Sequence, residues 1–318
     1  MASGVLDRGV ADVYARFPFP KRDARGVTRM NQDLIEKMAL LGVPLTSLAG
    51  VRLLDAGCGT GELSCLMAEH GAQVTSIDVS EPSLDYARKL AASREVSVNF
   101  LHGSLLRYPW EPGSFDGIVS HMVLHHTEDP ERGFANLARA LKPGGWMIVR
   151  VFTFWGSFSP FQTTPLWKLW IVRSLARTPD ARVRLAEQLF YRPGMEAQYG
   201  VDKMTYLSDA FAVPQIRHHA YGELLGWCRR HGIRYERSTP PMEFRQFVDL
   251  LLDPSRASQT VRGRWFRRLG QAALTVLPLH RLPGMDRPTW LSRGLSQAVT
   301  AFSAANMVTI IGRKPTAP

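Results

Sequence analysis

Cysteine is scarce: Cys58, Cys65 and Cys228 are the only three in 318 residues. Their spacing builds neither a disulfide framework nor a metal-finger pattern, which fits a reducing compartment. Long apolar runs are missing too. The longest, Ala272–Leu279, stops at His280 and Arg281, far short of the ~20 residues a spanning helix needs. The first residues carry Asp7 and Arg8 without an apolar segment behind them, so no secretory signal is expected and the chain reads as cytoplasmic. Internal repeats and low-complexity tracts are absent, which sets aside solenoids and disordered arrays.

What is present is ordinary for a globular chain, with 45% hydrophobic and 21% charged residues, and large enough to shelter a small-molecule site. The charge is not ordinary. Thirty-nine Lys and Arg face 28 Asp and Glu, a net +11, and the excess gathers in the second half, at Arg173–Arg184 and Arg256–Arg268. Such clusters suit a solvated helix face, an anionic or membrane surface, or nucleic acid; the solvated face is the default reading.

Hydrophobic periodicity predicts an alternation of strands and helices in the first half. Strands are expected at Val51–Ala56, Gln73–Asp78, Ser97–Leu101, Phe115–His121 and Trp146–Val151. Helices are expected at Asn31–Leu41, Glu62–His70, after Ser80 with Pro82 in its first turn, and at Pro130–Leu141, with Lys142–Gly145 as a turn. The pattern breaks at Phe152. Tyr221–Arg230 reads as a further helix, and Ile233–Ser238 and Met307–Arg313 as two more strands. The expected fold is α/β, a Rossmann-like, doubly wound, seven-stranded and mostly parallel sheet with helical insertions. The expected organisation is an N-terminal helical lid (1–50), a core (51–151), a helical insertion (152–220), a core helix and strand (221–238), a second insertion (239–305), and a last strand with its tail (306–318).

The most informative stretch is Leu54–Glu62, LDAGCGTGE. Glycines at 57, 59 and 61 let backbone approach a ligand closely, and the helix behind them offers free N–H groups. The spacing is tighter than the dinucleotide fingerprint. Asp55, two residues before the first glycine, would repel a pyrophosphate but accepts hydrogen bonds from a cationic ligand. Asp78, with Val79 beside it, ends the second strand, where an acid takes ribose hydroxyls.

This segment resembles motif I of class I S-adenosylmethionine-dependent methyltransferases. Phe115–Val119, Leu124-His125-His126 and Leu141–Gly145 follow in the order seen in small-molecule methyltransferases related to quinone-biosynthesis enzymes. The resemblance implies S-adenosyl-L-methionine as cofactor. It places Gly57, Gly59 and Gly61 along the methionine part of the donor, Asp55 near its amino group and Asp78 on the ribose. It departs from the family where Gly103-Ser104 replaces a Gly-Asp pair; the Ser104 hydroxyl or a carbonyl near Leu105 would then take the adenine amino group.

Methyl transfer needs an aligned acceptor and sometimes a base. His121, His125 and His126 follow the fourth strand, at the ligand-binding end of a parallel sheet. His121 is assigned to the donor side. His125 is the first choice as base, with His126 and His219 as the others. Adjacent histidines cannot easily share one ion, so no metal is expected. Acceptor contacts are expected from Tyr14, Phe17 and Arg22 of the lid, from Phe154 and Trp155 after the fifth strand, and from His218 and Tyr221. The expected reaction moves a methyl group to oxygen or carbon of a mostly apolar small molecule, phenol- or quinone-like or prenyl. The rivals are an RNA-directed methyltransferase and a donor-binding protein without catalysis. No Pro-Cys pair and no Asn/Asp-Pro-Pro-Tyr run is present, which weighs against nucleic acid. Peripheral membrane contact through Arg256–Leu282 stays open.

Overall fold

The computed structural model describes residues 3–17, 24–40, 42–154, 166–196, 200–252, 268, 271–303 and 307–316. Seven strands form one sheet: β1 (Arg52–Ala56), β2 (Gln73–Asp78), β3 (Val98–His102), β4 (Phe115–His121), β5 (Leu141–Phe152), β6 (Arg234–Thr239) and β7 (Met307–Arg313). Their order is β3-β2-β1-β4-β5-β7-β6. The first five are parallel, and β7 lies antiparallel between β5 and β6. The winding reverses between β1 and β4, which opens a crevice at their carboxyl ends.

The strands are apolar on both sides because both sides are covered. Leu54, Ile118, Val149 and Ile310 face one core, shared with Phe134 and Leu137 of the helix Pro130–Ala140 and Trp227 of the helix Tyr221–Arg230. Their neighbours Leu53, Val119, Ile148 and Ile311 face the other, with Met30, Leu34 and Met38 of the helix Ala24–Leu40. Side chains alternate along a strand, so each residue shift changes cores. Burying one such side chain fully is worth about 1.5–3 kcal/mol.

Two segments differ from the sequence expectation. The helix Ala24–Leu40 begins seven residues before Asn31. Gly26, Val27 and Thr28 weaken the local helix signal, yet Met30, Leu34 and Met38 recur at i+4 and are buried on the sheet. Lys142–Gly145 is no free turn but an irregular part of β5, where Phe115 pairs with Leu141 and Gly117 with Trp146. Pro143 has no N–H to offer the ladder, and Gly144 sits at φ +79°, so the strand bulges and continues.

After β5 come the helices Leu166–Leu175, Pro179–Phe190 and Lys203–Leu207, the last continued by a π-turn at Ser208–Ala212. They enclose a smaller core with the N-terminal helix Ser3–Arg16, in which Val10, Val13, Val172 and Phe211 meet. Between β6 and β7, the helices Phe244–Leu252 and Trp290–Ser303 share a fourth cluster around Phe244, Val248 and Met285. Among the described residues no helix is long and apolar enough to cross a membrane.

Candidate active site

A cavity partly open to solvent lies past the carboxyl ends of β1 to β4. The glycine turn forms its edge. Gly57 sits at φ +85°, and a Cβ there would fall 2.3 Å from Cγ2 of Val123. The N–H groups of Gly57 and Cys58 both donate to the Ile77 carbonyl, at 2.8 and 3.1 Å, which ties the turn to β2. Gly57 and Gly59 line the cavity; Gly61 is not part of its lining. Gly61 instead begins the helix Glu62–Glu69, and a Cβ there would meet Ala87 at 2.8 Å. Close packing on Ala87 and a φ of +81° both call for glycine there.

Three carboxylates face this space: Asp55, Glu62 and Asp78. Asp78 is held from both oxygens, accepting from Gly59 N–H at 2.8 Å and from Ser80 N–H at 2.9 Å. Burial raises its pKa, against the pull of those amides. Asp55 is buried and accepts the Ser64 hydroxyl at 2.6 Å. Burial, partly opposed by that bond and reinforced by Asp78 and Glu62, lifts it to about 7. Glu62 accepts from the Thr60 hydroxyl at 2.7 Å. Val79 also lines the cavity, and its carbonyl accepts from His102 Nε2 at 3.1 Å.

Ser104 and Leu105 form the next stretch of wall. Ser104 Oγ accepts from Leu106 N–H at 3.3 Å, and the Leu105 carbonyl already accepts the Asn136 amide at 3.1 Å. The far end holds His121, Met122, Val123, His126, Thr127 and Tyr14. Met122 has φ +64°, an uncommon conformation for a residue with a side chain, of the kind that gathers at functional sites.

The histidines divide sharply. His126 Nδ1 donates to the Gln215 carbonyl at 3.1 Å, which fixes the tautomer and leaves the lone pair on Nε2. Burial lowers its pKa, so it is neutral near pH 7. His125 is fully buried and does not line the cavity; its ring lies 4.1 Å from that of His126 and 4.5 Å from Phe152. Burial first, then neighbouring histidines, hold its pKa well below the usual value. His219 is buried against Trp227, with Nδ1 on Glu223 at 3.1 Å.

The other expected acceptor contacts scatter. Tyr14 joins the cavity, its hydroxyl donating to Asp209 at 3.2 Å and its ring edge-on to His126 at 6.1 Å. Phe17 packs instead on the small core of the first insertion. Phe154 is partly exposed and anchored by its N–H to His219 O at 3.0 Å. His218 stacks on Phe152 at 5.5 Å, and Tyr221 is fully buried in the main core. Arg22 and Trp155 lie outside the described residues, as does most of Arg256–Leu282.

Sequence reasoning missed Glu62, Met122, Thr127 and Asp209. Glu62 had a readable signal, an acid opening the helix after the glycines. Asp209 had none, because it reaches Tyr14 across 195 positions of chain.

A sheet of this order, with a glycine turn after β1 and an acid closing β2, defines a class I S-adenosylmethionine-dependent methyltransferase domain. Comparison with known proteins agrees: residues 54–149 match the methyltransferase domain family. The ubiquinone biosynthesis O-methyltransferase of Coxiella burnetii is 37% identical over 99 residues, 31% of this chain and 42% of that protein. The demethylmenaquinone methyltransferase of Clavibacter sepedonicus is 35% identical over 106 residues, 33% of this chain and 43% of that one. This chain thus spans less than half the length of the curated relatives it matches. Among solved structures, an S-adenosylmethionine-dependent methyltransferase from Mesorhizobium loti aligns over 89% of this chain and 99% of its own, at 21% identity and a TM-score of 0.46.

The cavity suits that donor. S-adenosylmethionine carries a sulfonium and an ammonium, and three inward carboxylates supply the opposite charge.

Proposed function

We propose that the protein moves a methyl group from S-adenosylmethionine to oxygen or carbon of a mostly apolar small molecule, with His126 taking the acceptor's proton. The observation that carries this reading is the polarity of one cavity. Asp55, Glu62 and Asp78 stand at the end where β1 and β2 deliver them, and a neutral imidazole stands at the end of β4. The sulfonium methyl is already activated, so the donor supplies the electrophile when bound. The protein's share is alignment and one proton transfer.

In that reading Asp78, pre-set by the Gly59 and Ser80 amides, accepts the ribose hydroxyls. Asp55 and Glu62 meet the amino-acid cation. Tyr14 closes the cavity above them, since its carbonyl also accepts the Ser80 hydroxyl at 3.2 Å. His126, fixed through Nδ1 by Gln215, offers Nε2 to the acceptor. A ring-bearing acceptor is favoured by the names of the two curated relatives.

The test is calorimetric titration of the full chain with S-adenosylmethionine and S-adenosylhomocysteine, followed by labelled-methyl transfer to a panel of phenols and quinols. Asp78→Ala should weaken both ligands at least 100-fold, as loss of charged hydrogen bonds worth ~1.5–3 kcal/mol each requires. His126→Asn should leave donor affinity alone and lower turnover ~100-fold or more. Wild-type binding of NAD or ATP in place of the donor would end the proposal.

A further inference from the structure

The second insertion is strongly basic. Nine arginines stand against four acids in residues 239–305, and from Pro254 to Asn306 eight arginines face Asp286 alone. One of the four acids, Glu243, is buried and accepts the Tyr235 hydroxyl at 3.2 Å. Among the described residues of the insertion, Asp249 and Asp286 are the exposed acids. Arg268, Arg281 and Arg287 are exposed too, and none of the three forms an ion pair among the described residues. β6 and β7 are antiparallel, with Thr239 opposite Thr309 and Met307 opposite Phe152. The insertion therefore leaves and rejoins the sheet at the carboxyl end of its parallel strands, the end where the cavity lies.

The same insertion holds apolar side chains out in water on a closely bonded turn. Residues 271–276 are helical, and a 3₁₀ turn follows at Leu279–Arg281. Arg281 N–H donates to the Pro278 carbonyl at 2.9 Å and Leu282 N–H to the Leu279 carbonyl at 3.2 Å. The Thr289 hydroxyl donates to the Gly284 carbonyl at 3.4 Å, just ahead of the helix Trp290–Ser303. Arg245 ties the turn to the helix Phe244–Leu252, its N–H on the Met285 carbonyl at 2.9 Å and its Nε on the His280 carbonyl at 3.1 Å. Leu274, Leu279, Met285 and Leu295 face inward onto Phe244 and Val248. Val276, Leu277, Leu282 and Trp290 stay outside, 85, 58, 43 and 77% exposed. One exposed apolar side chain is ordinary, but four held out by a single bonded turn mark an interaction surface.

We propose that this turn docks on a lipid bilayer that carries anionic headgroups. Val276, Leu277 and Leu282 enter the boundary of the hydrocarbon, the Trp290 indole sits at headgroup level, and Arg281 and Arg287 meet lipid phosphates. Charge decides between this occupant and its rivals. A second copy of the chain would set arginine against arginine. A nucleic acid would take the arginines but offers no apolar phase to three aliphatic side chains. The inference goes beyond the methyl-transfer reading and needs neither donor nor acceptor.

The experiment is co-sedimentation of the full chain with vesicles of phosphatidylcholine, and of phosphatidylcholine and phosphatidylglycerol in equal parts, at low and high salt. The mixed vesicles should bind about tenfold more tightly than the neutral ones, and high salt should weaken that binding. Leu282→Ser with Trp290→Ser should cost about tenfold on mixed vesicles at an unchanged melting temperature, since both side chains are exposed. Arg281→Gln with Arg287→Gln should weaken binding and flatten its salt dependence. Trp290→Phe should still bind but lose part of the tryptophan quenching by brominated lipid, a direct reading of insertion. Should the serine pair lower the melting temperature, the glutamine pair and Trp290→Phe carry the test. Equal binding to both vesicles, binding to neither, or variants that bind and quench like wild type overturns the proposal. So does a single-stranded RNA oligonucleotide held more tightly than the mixed vesicles, or a wild-type dimer that the serine pair dissociates.

Discussion

Ser64 gives its hydroxyl proton to Asp55 across 2.6 Å, and its own oxygen accepts from the Ser76 hydroxyl at 2.9 Å, all three side chains being buried. This short chain of oxygens gives polar relief to a carboxyl set among Asp78 and Glu62. Burial, reinforced by Asp78 and Glu62, outweighs that bond and lifts Asp55 to about 7.

Binding of a cationic donor should therefore depend on pH. The cation favours ionised Asp55, whose pKa in the free protein is about 7. Affinity should rise with pH up to about 7 and level off above it. Below 7, binding should release a proton, visible as a dependence of calorimetric heat on buffer ionisation enthalpy. Stability of the free protein follows the opposite sign. A folded pKa above the unfolded value means stability is full below about 4 and declines as pH rises through 7. Asp55→Asn should flatten both curves; an unchanged proton release in that variant would place the titration elsewhere.

Gly57→Ala should be severe. The new Cβ would lie 2.3 Å from Val123, at a φ of +85° that side chains rarely adopt. Overpacking alone costs ~1–3 kcal/mol, and the strained turn adds ~1–2 kcal/mol. Thermal melting should fall by several degrees, with donor binding lost. Adding Val123→Ala should recover part of the melting temperature without restoring affinity, because φ remains wrong. Full recovery would show that sterics with Val123 were the whole reason for glycine.

His125→Phe is expected to hold or raise stability. The imidazole is fully buried with neither nitrogen bonded, and replacing unsatisfied polar atoms by an apolar ring removes their desolvation cost. A melting temperature equal to or above wild type is the expected result. A loss of several degrees would mean that the ring nitrogens make a hydrogen bond the folded chain depends on. Turnover by the same variant separates a structural histidine from one that meets the acceptor.

The glycine turn, Asp55, Asp78 and all seven strand positions were legible in the order of residues, because local rules govern them. Strand periodicity, left-handed glycines and an acid at a strand end act within a few positions of chain. The donor half of the site is built almost entirely from such segments, each delivered by its own strand. The last strand's antiparallel place between β5 and β6 was legible only in part, since direction depends on where the chain returns from.

The far end of the cavity was not legible in that way. His125 and His126 are neighbours in sequence, yet one is sealed against Phe152 and the other lines the cavity. A tight 3₁₀ turn at Leu124–His126 and the Gln215 carbonyl decide which is which. Tyr14 meets Asp209, and Arg217 meets His125, across separations no periodicity encodes. Hydrophobic pattern dictates which faces are buried. Only packing of the insertions against the sheet decides which polar groups are left facing one another.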